Sequence, residues 1–137
     1  MLELKKIATH FRLRLSKIDI VRKTAIALDD VNRKLIILNE KDHPFFKTID
    51  LQNIHGCAVK VDYRNIDAGD LHEKHLDEFI KNIQLKIAHV DPQKSVDISF
   101  YDMNKNTVQE LRALIGKATS WRNKITSMTG GNLLVPV

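Results

Sequence analysis

A chain of 137 residues, 43% apolar and 28% charged, has room for one ordinary hydrophobic core, and its three prolines and five glycines exclude a long flexible linker. A single cysteine, Cys57, excludes an intrachain disulfide, no apolar run reaches the roughly 18 residues of a membrane span, and Met1 to Lys6 lack the apolar centre of a signal peptide. The net charge of +5 is concentrated in residues 1–23, which carry seven bases (Lys5, Lys6, Arg12, Arg14, Lys17, Arg22 and Lys23) against Glu3 and Asp19, whereas residues 24–137 hold fifteen bases and fifteen acids.

Leu4, Ile7, Ala8 and Phe11 recur at helical spacing opposite a basic face, which predicts a helix near residues 2–11. Alternation of Ile18 and Ile20 with polar neighbours predicts a short strand near 16–21. Ala25 to Leu28 and Leu35 to Leu38 are apolar, partly β-branched runs separated by Asp29-Asp30-Val31-Asn32-Arg33, whose Asp and Asn side chains can bond their own backbone, so this segment reads as a hairpin. Asp42-His43-Pro44 breaks the next stretch. A strand follows over Phe45 to Leu51, and another runs from Ile54 or Gly56 to Tyr63, with Cys57, Val59 and Val61 on one face.

Residues 70–82 admit two readings. Asp70 with Glu73 has capping-box spacing, and Leu76, Phe79, Ile80 and Ile83 follow at helical intervals; the alternative is a long hairpin loop leading into a strand. Ile83, Leu85 and Ile87 alternate cleanly in a strand near 83–90, Asp91-Pro92-Gln93-Lys94 turns the chain, and Val96, Ile98 and Phe100 line the last strand. Val108, Leu111, Ile115, Ala118, Trp121, Ile125 and Met128 then mark one face of a helix over 106–128, with Asn106 and Gln109 as its N-terminal cap and Gly130-Gly131 as its stop. The expected organisation is a single α+β domain over 1–137: a basic N-terminal helix and strand (1–22), antiparallel strands (23–103), a helix (105–128) and an apolar tail (129–137).

Antiparallel strands in hairpin order followed by a long helix carrying a tryptophan resemble a pleckstrin-homology-like fold. That resemblance implies a partly open antiparallel barrel capped by the C-terminal helix. A closer resemblance, carried by Leu4 to Ala8, Ser16 to Ile20, Ala25 to Asp30, Ile49 to Ile54, Ser99 to Asp102 and Ala118 to Trp121, is to uncharacterised bacterial membrane-anchored proteins with such a domain in the cytoplasm. It implies an anchor helix upstream and a cytoplasmic, membrane-associated location.

Chemistry-bearing residues are sparse. His72 and His75, among Asp70, Glu73, Asp77 and Glu78, have the spacing for a shared metal on a helix, but no recognised ligand pattern accompanies them, and a solvated acidic loop is the plainer reading; no metal and no cofactor are expected. Asp67-Ala68-Gly69-Asp70 lacks the remaining ligands of a calcium loop. His55 and Cys57 fall on one strand face as a base and nucleophile would, without an orienting group or oxyanion donors, so Cys57 reads as a small buried hydrophobe. Thr129-Gly130-Gly131 follows a helix instead of preceding one and is no phosphate loop.

The seven N-terminal bases can be a solvated face, a surface attracted to anionic lipid, or a nucleic-acid patch. Only Phe11 is available there for base stacking, so nucleic acid is not expected. The sequence thus predicts a non-enzymatic protein-interaction or scaffolding module at the cytoplasmic membrane face, with lipid-headgroup or small-ligand binding as the alternative. The tail Asn132 to Val137 suggests a homodimer contact, by addition to a strand edge or docking in a groove of a second copy.

Overall fold

The computed structural model describes residues 2–39, 45–65 and 76–129. The chain is α+β: α1 (Leu2–His10), β1 (Leu15–Val21), β2 (Thr24–Asp29), β3 (Lys34–Asn39), β4 (Phe45–Asp50), β5 (Ile54–Tyr63), β6 (Ile80–His89), β7 (Val96–Asp102) and α2 (Val108–Thr129). The strands form two antiparallel sheets, ordered β1-β2-β3-β4 and β5-β6-β7, and not a closed barrel. The chain divides into two compact units, Met1–His55 with Ser127–Val137, and Gly56–Thr126. No described helix is long and apolar enough to cross a membrane. The tail at 130–137, the capping box Asp70/Glu73 and the histidines His72 and His75 lie outside the described residues.

In the first unit, β2 and β3 are buried on both faces, which is why their sequences are near-continuous apolar runs instead of alternating ones. Ile26 pairs with Ile37 and Leu28 with Leu35 on one face, while Ala25 pairs with Leu38 and Ala27 with Ile36 on the other. Leu13, together with Leu15 of β1 and Phe46 of β4, packs against the residues of the second face. The chain reaches it through a sharp helix stop. Leu13 N–H donates to the Ala8 carbonyl at 2.8 Å and Arg12 N–H to that of Thr9 at 3.3 Å, the two bonds of a Schellman motif, with Arg12 in the left-handed region at φ 56°. Helix α1 therefore ends at His10, one residue before the sequence predicts.

The β2–β3 turn is organised by Asp29, whose side chain is fully buried. Its Oδ1 accepts from Val31 N–H at 3.1 Å and Asn32 N–H at 2.8 Å, and its Oδ2 accepts from Arg14 N–H at 2.8 Å and Asn32 Nδ2 at 2.7 Å. One carboxylate thus ties the hairpin turn to the segment that leads from α1 into β1. The Arg33 guanidinium, at the other end of the turn, donates to the Met128 carbonyl.

In the second unit, Ile83, Leu85 and Ile87 of β6 stand opposite Tyr101, Ile98 and Val96 of β7, and all six are buried. The register shifts between Ile83 and Gln84, leaving Phe100 as the extra residue of a bulge. A bulge brings two successive side chains towards one face, so Phe100 and Tyr101 are both buried. Simple alternation predicts Phe100 alone. The helical reading of residues 76–83 is corrected: Leu76–Phe79 is a single 3-10 turn, and β6 already begins at Ile80. Arg64 N–H donates to the Phe79 carbonyl at 2.8 Å, and the Arg64 guanidinium lies 4.7 Å from the centre of the Phe79 ring, which anchors the start of the strand.

Helix α2 buries Leu111, Ala118, Trp121 and Ile125, as its periodicity requires. Val108 does not join them and is 50% exposed, because the first turn lies beyond the buried stripe. The cap also differs from expectation. Glu110 Oε1 accepts from Thr107 N–H at 2.9 Å, so the box is Thr107/Glu110, while Asn106 instead receives Asp102 N–H on its Oδ1 at 3.1 Å. Hydrogen bonds from the Thr107 backbone and from the Asn106 and Thr107 side chains hold the Glu110 carboxyl below the usual carboxylate range.

Candidate functional site

The seven N-terminal bases all belong to the first unit, but they do not share one face. Lys5 and Lys6 are exposed on α1, and Arg12 and Arg14 are exposed in the segment that follows it. Leu13 of that segment and Leu15 at the start of β1 pack against Ala25, Ala27, Ile36 and Leu38 of the sheet face. Arg12 and Arg14 stand on either side of Leu13 and stay exposed.

Lys17 departs from the group. On β1, Ile18 and Ile20 pair with Ala27 and Ala25, so they share the face that the segment covers, and alternation sends Lys17, Asp19 and Val21 to the opposite face. There the Lys17 ammonium lies 4.0 Å from the Asp19 carboxylate. Arg22 and Lys23 form the two-residue loop between β1 and β2, with Arg22 at φ 57°, the left-handed conformation that such tight hairpin loops require at their first position.

Sequence patterning missed the apolar part of this surface. Phe11 stacks on Phe46 of β4, with ring centroids 5.6 Å apart and planes 26° apart, yet remains 53% exposed. Ile18 and Ile20 are 37% and 45% exposed on the same sheet face. Their alternation with polar residues signals a half-buried strand, but β1 is the edge of its sheet and the covering segment ends before reaching them. The available signal was the pairing of exposed-face isoleucines with the alanines of β2, which a single sequence reveals only once register is known.

His55 is exposed, and Cys57 is half-buried on β5. Burial pushes the Cys57 thiol up to about 12, against a smaller lowering by the Arg122 charge, so it is an uncharged thiol at neutral pH and a poor nucleophile. Among the described residues, no group of three or more His, Cys, Asp or Glu is placed to hold a metal ion. Asp62 lies 3.9 Å from Lys60, and Asp77 and Glu78 are exposed. No family model, curated protein or solved structure matches the chain.

Proposed function

We propose that the chain is a non-enzymatic interaction module whose binding surface is the basic face of its first unit, working against an acidic partner at the cytoplasmic face of a membrane. The supporting observation is the exposure of Lys5, Lys6, Arg12, Arg14 and Lys23 around a sheet face that retains uncovered apolar side chains. Charge that served solubility alone would have no reason to gather beside such a patch. The pleckstrin-homology-like arrangement is part of the proposal. It is supported by the seven antiparallel strands of the described residues, followed by a long helix with a buried tryptophan, and in it the helix caps a partly open barrel.

Two variants of equal charge locate the surface. Replacing Lys5, Lys6, Arg14 and Lys23 by Gln, or Lys94, Lys105, Arg112 and Lys117 by Gln, removes four exposed bases in either case. On immobilised heparin, used as a polyanionic probe, the first variant should elute at markedly lower salt than the native chain, and the second should elute close to it. Equal shifts for both would mean that net charge alone drives retention, and the assigned surface would be wrong.

A further inference from the structure

We infer that the sheet face bearing Ile18 and Ile20, together with Phe11, is a membrane-docking surface that seats on a bilayer of anionic phospholipid. The inference rests on the binding-module reading and names its partner.

The first unit presents this surface in two layers. The inner layer is the sheet, whose face carries Ile18 and Ile20 on β1, Ala25 and Ala27 on β2, Ile36 and Leu38 on β3 and Phe46 on β4. The outer layer is the α1–β1 segment with Phe11. It packs on the face through Leu13, beside Leu15 of β1, and leaves exposed apolar side chains at both margins: Phe11 over β4, and Ile18 and Ile20 at the β1 edge. With strands spaced about 4.8 Å apart, these margins lie roughly 14 Å from each other across the sheet. Arg12 and Arg14 are exposed in the segment that follows α1, Lys5 and Lys6 are exposed on the adjoining helix, and Lys23 is exposed in the loop that follows Ile20 and Val21.

Exposed apolar side chains accompanied by exposed guanidinium and ammonium groups are complementary to the interfacial region of an anionic bilayer. There phosphates meet the bases, and the adjoining acyl boundary accepts Phe and Ile. An acidic protein surface would answer the charge but would not by itself bury three large side chains at separated margins.

The test is co-sedimentation of the full chain with vesicles of phosphatidylcholine alone or containing about 30 mol % phosphatidylglycerol. Partitioning should require the anionic lipid and should fall about tenfold or more between about 0.1 and 0.5 M salt. Ile18→Thr with Ile20→Thr keeps β-branched side chains on the strand and should lower partitioning about tenfold without altering its salt dependence. Lys5→Gln with Lys6→Gln should lower it by a similar factor and flatten that dependence. Circular dichroism and the emission of Trp121, buried in the other unit, report whether each variant is folded. If the double Ile variant does not fold, Ile20→Trp supplies the reading instead, because brominated acyl chains should quench the added emission only on anionic vesicles. Binding to neutral vesicles equal to that on anionic ones, or a folded Ile18→Thr/Ile20→Thr variant that binds as the native chain does, overturns the proposal. So does an Ile20→Trp emission that bromine leaves unquenched. Failure of the native chain to bind anionic vesicles, while the heparin result holds, overturns the membrane assignment alone and transfers the surface to an acidic protein.

Discussion

Replacing Trp121 by Ala is expected to cost about 3–5 kcal/mol of stability. Trp121 is the largest of the fully buried side chains and the only tryptophan of the chain. It lies on the α2 stripe with Leu111, Ala118 and Ile125, all of them buried. Truncation removes the transfer free energy of an indole and leaves a cavity that the surrounding strands and helix can fill only in part. Trp121→Phe should recover much of the loss, since it restores an apolar ring to the same site. Because both substitutions remove the intrinsic fluorophore, urea unfolding followed by far-ultraviolet circular dichroism is the appropriate measurement. A loss below about 1 kcal/mol for Trp121→Ala would show that the helix stripe contributes little to the core.

The second large effect belongs to Asp29. Asp29→Ala should destabilise by about 2–3 kcal/mol, because four hydrogen-bond donors converging on one buried carboxylate lose their acceptor together. The cost is moderated because Arg14, Val31 and Asn32 are exposed enough to recruit water. Burial pushes the Asp29 carboxyl up, but the hydrogen bonds from Asn32, Arg14 and Val31 together outweigh it and hold the group below its ordinary value of 3.8. A carboxyl with a lower value in the folded chain than in the unfolded one contributes its full stabilisation above the unfolded value. It loses that contribution as pH falls through the folded one. The stability gap between the native chain and Asp29→Asn should therefore be constant from neutral pH down to about 4 and close below it. A gap independent of pH down to about pH 2 would mean that the carboxylate charge is not what the turn uses.

Much of this architecture was legible in the residues. The Asp29 to Arg33 turn could be read from Asp and Asn flanked by apolar runs, because a local side chain to backbone bond depends only on neighbours in sequence. The Asp91-Pro92 turn was readable for the same reason, and Asp91 Oδ1 accepts from Gln93 N–H at 3.1 Å. The α2 stripe was readable because a 3.6-residue period sustained over many turns matches the helix repeat and not the two-residue repeat of a strand.

What escaped were features set by tertiary register. The Phe100 bulge leaves no mark in Val96-Asp97-Ile98-Ser99-Phe100-Tyr101, since it exists only relative to β6. Leu76, Phe79, Ile80 and Ile83 have helical spacing, but Ile80 and Ile83 both belong to a strand, where pairing with neighbours outweighs local periodicity. Arg12, Arg22 and Arg33 gave no turn signal, because left-handed positions are usually announced by Gly or Asn. The seven bases were visible as a charge excess, but their separation into an outward group and the inner-face Lys17 follows from the alternation of β1 and its pairing with β2.

If residues of the basic first unit meet an anionic surface, hydrogen exchange on anionic vesicles reports that contact most directly. Exchange should slow, relative to neutral vesicles, in peptides covering residues 8–23, centred on Phe11 to Arg14 and on Ile18 to Lys23, with the second unit from Gly56 to Thr126 unchanged. Slower exchange confined to the second unit, or no difference between anionic and neutral vesicles, would contradict that contact.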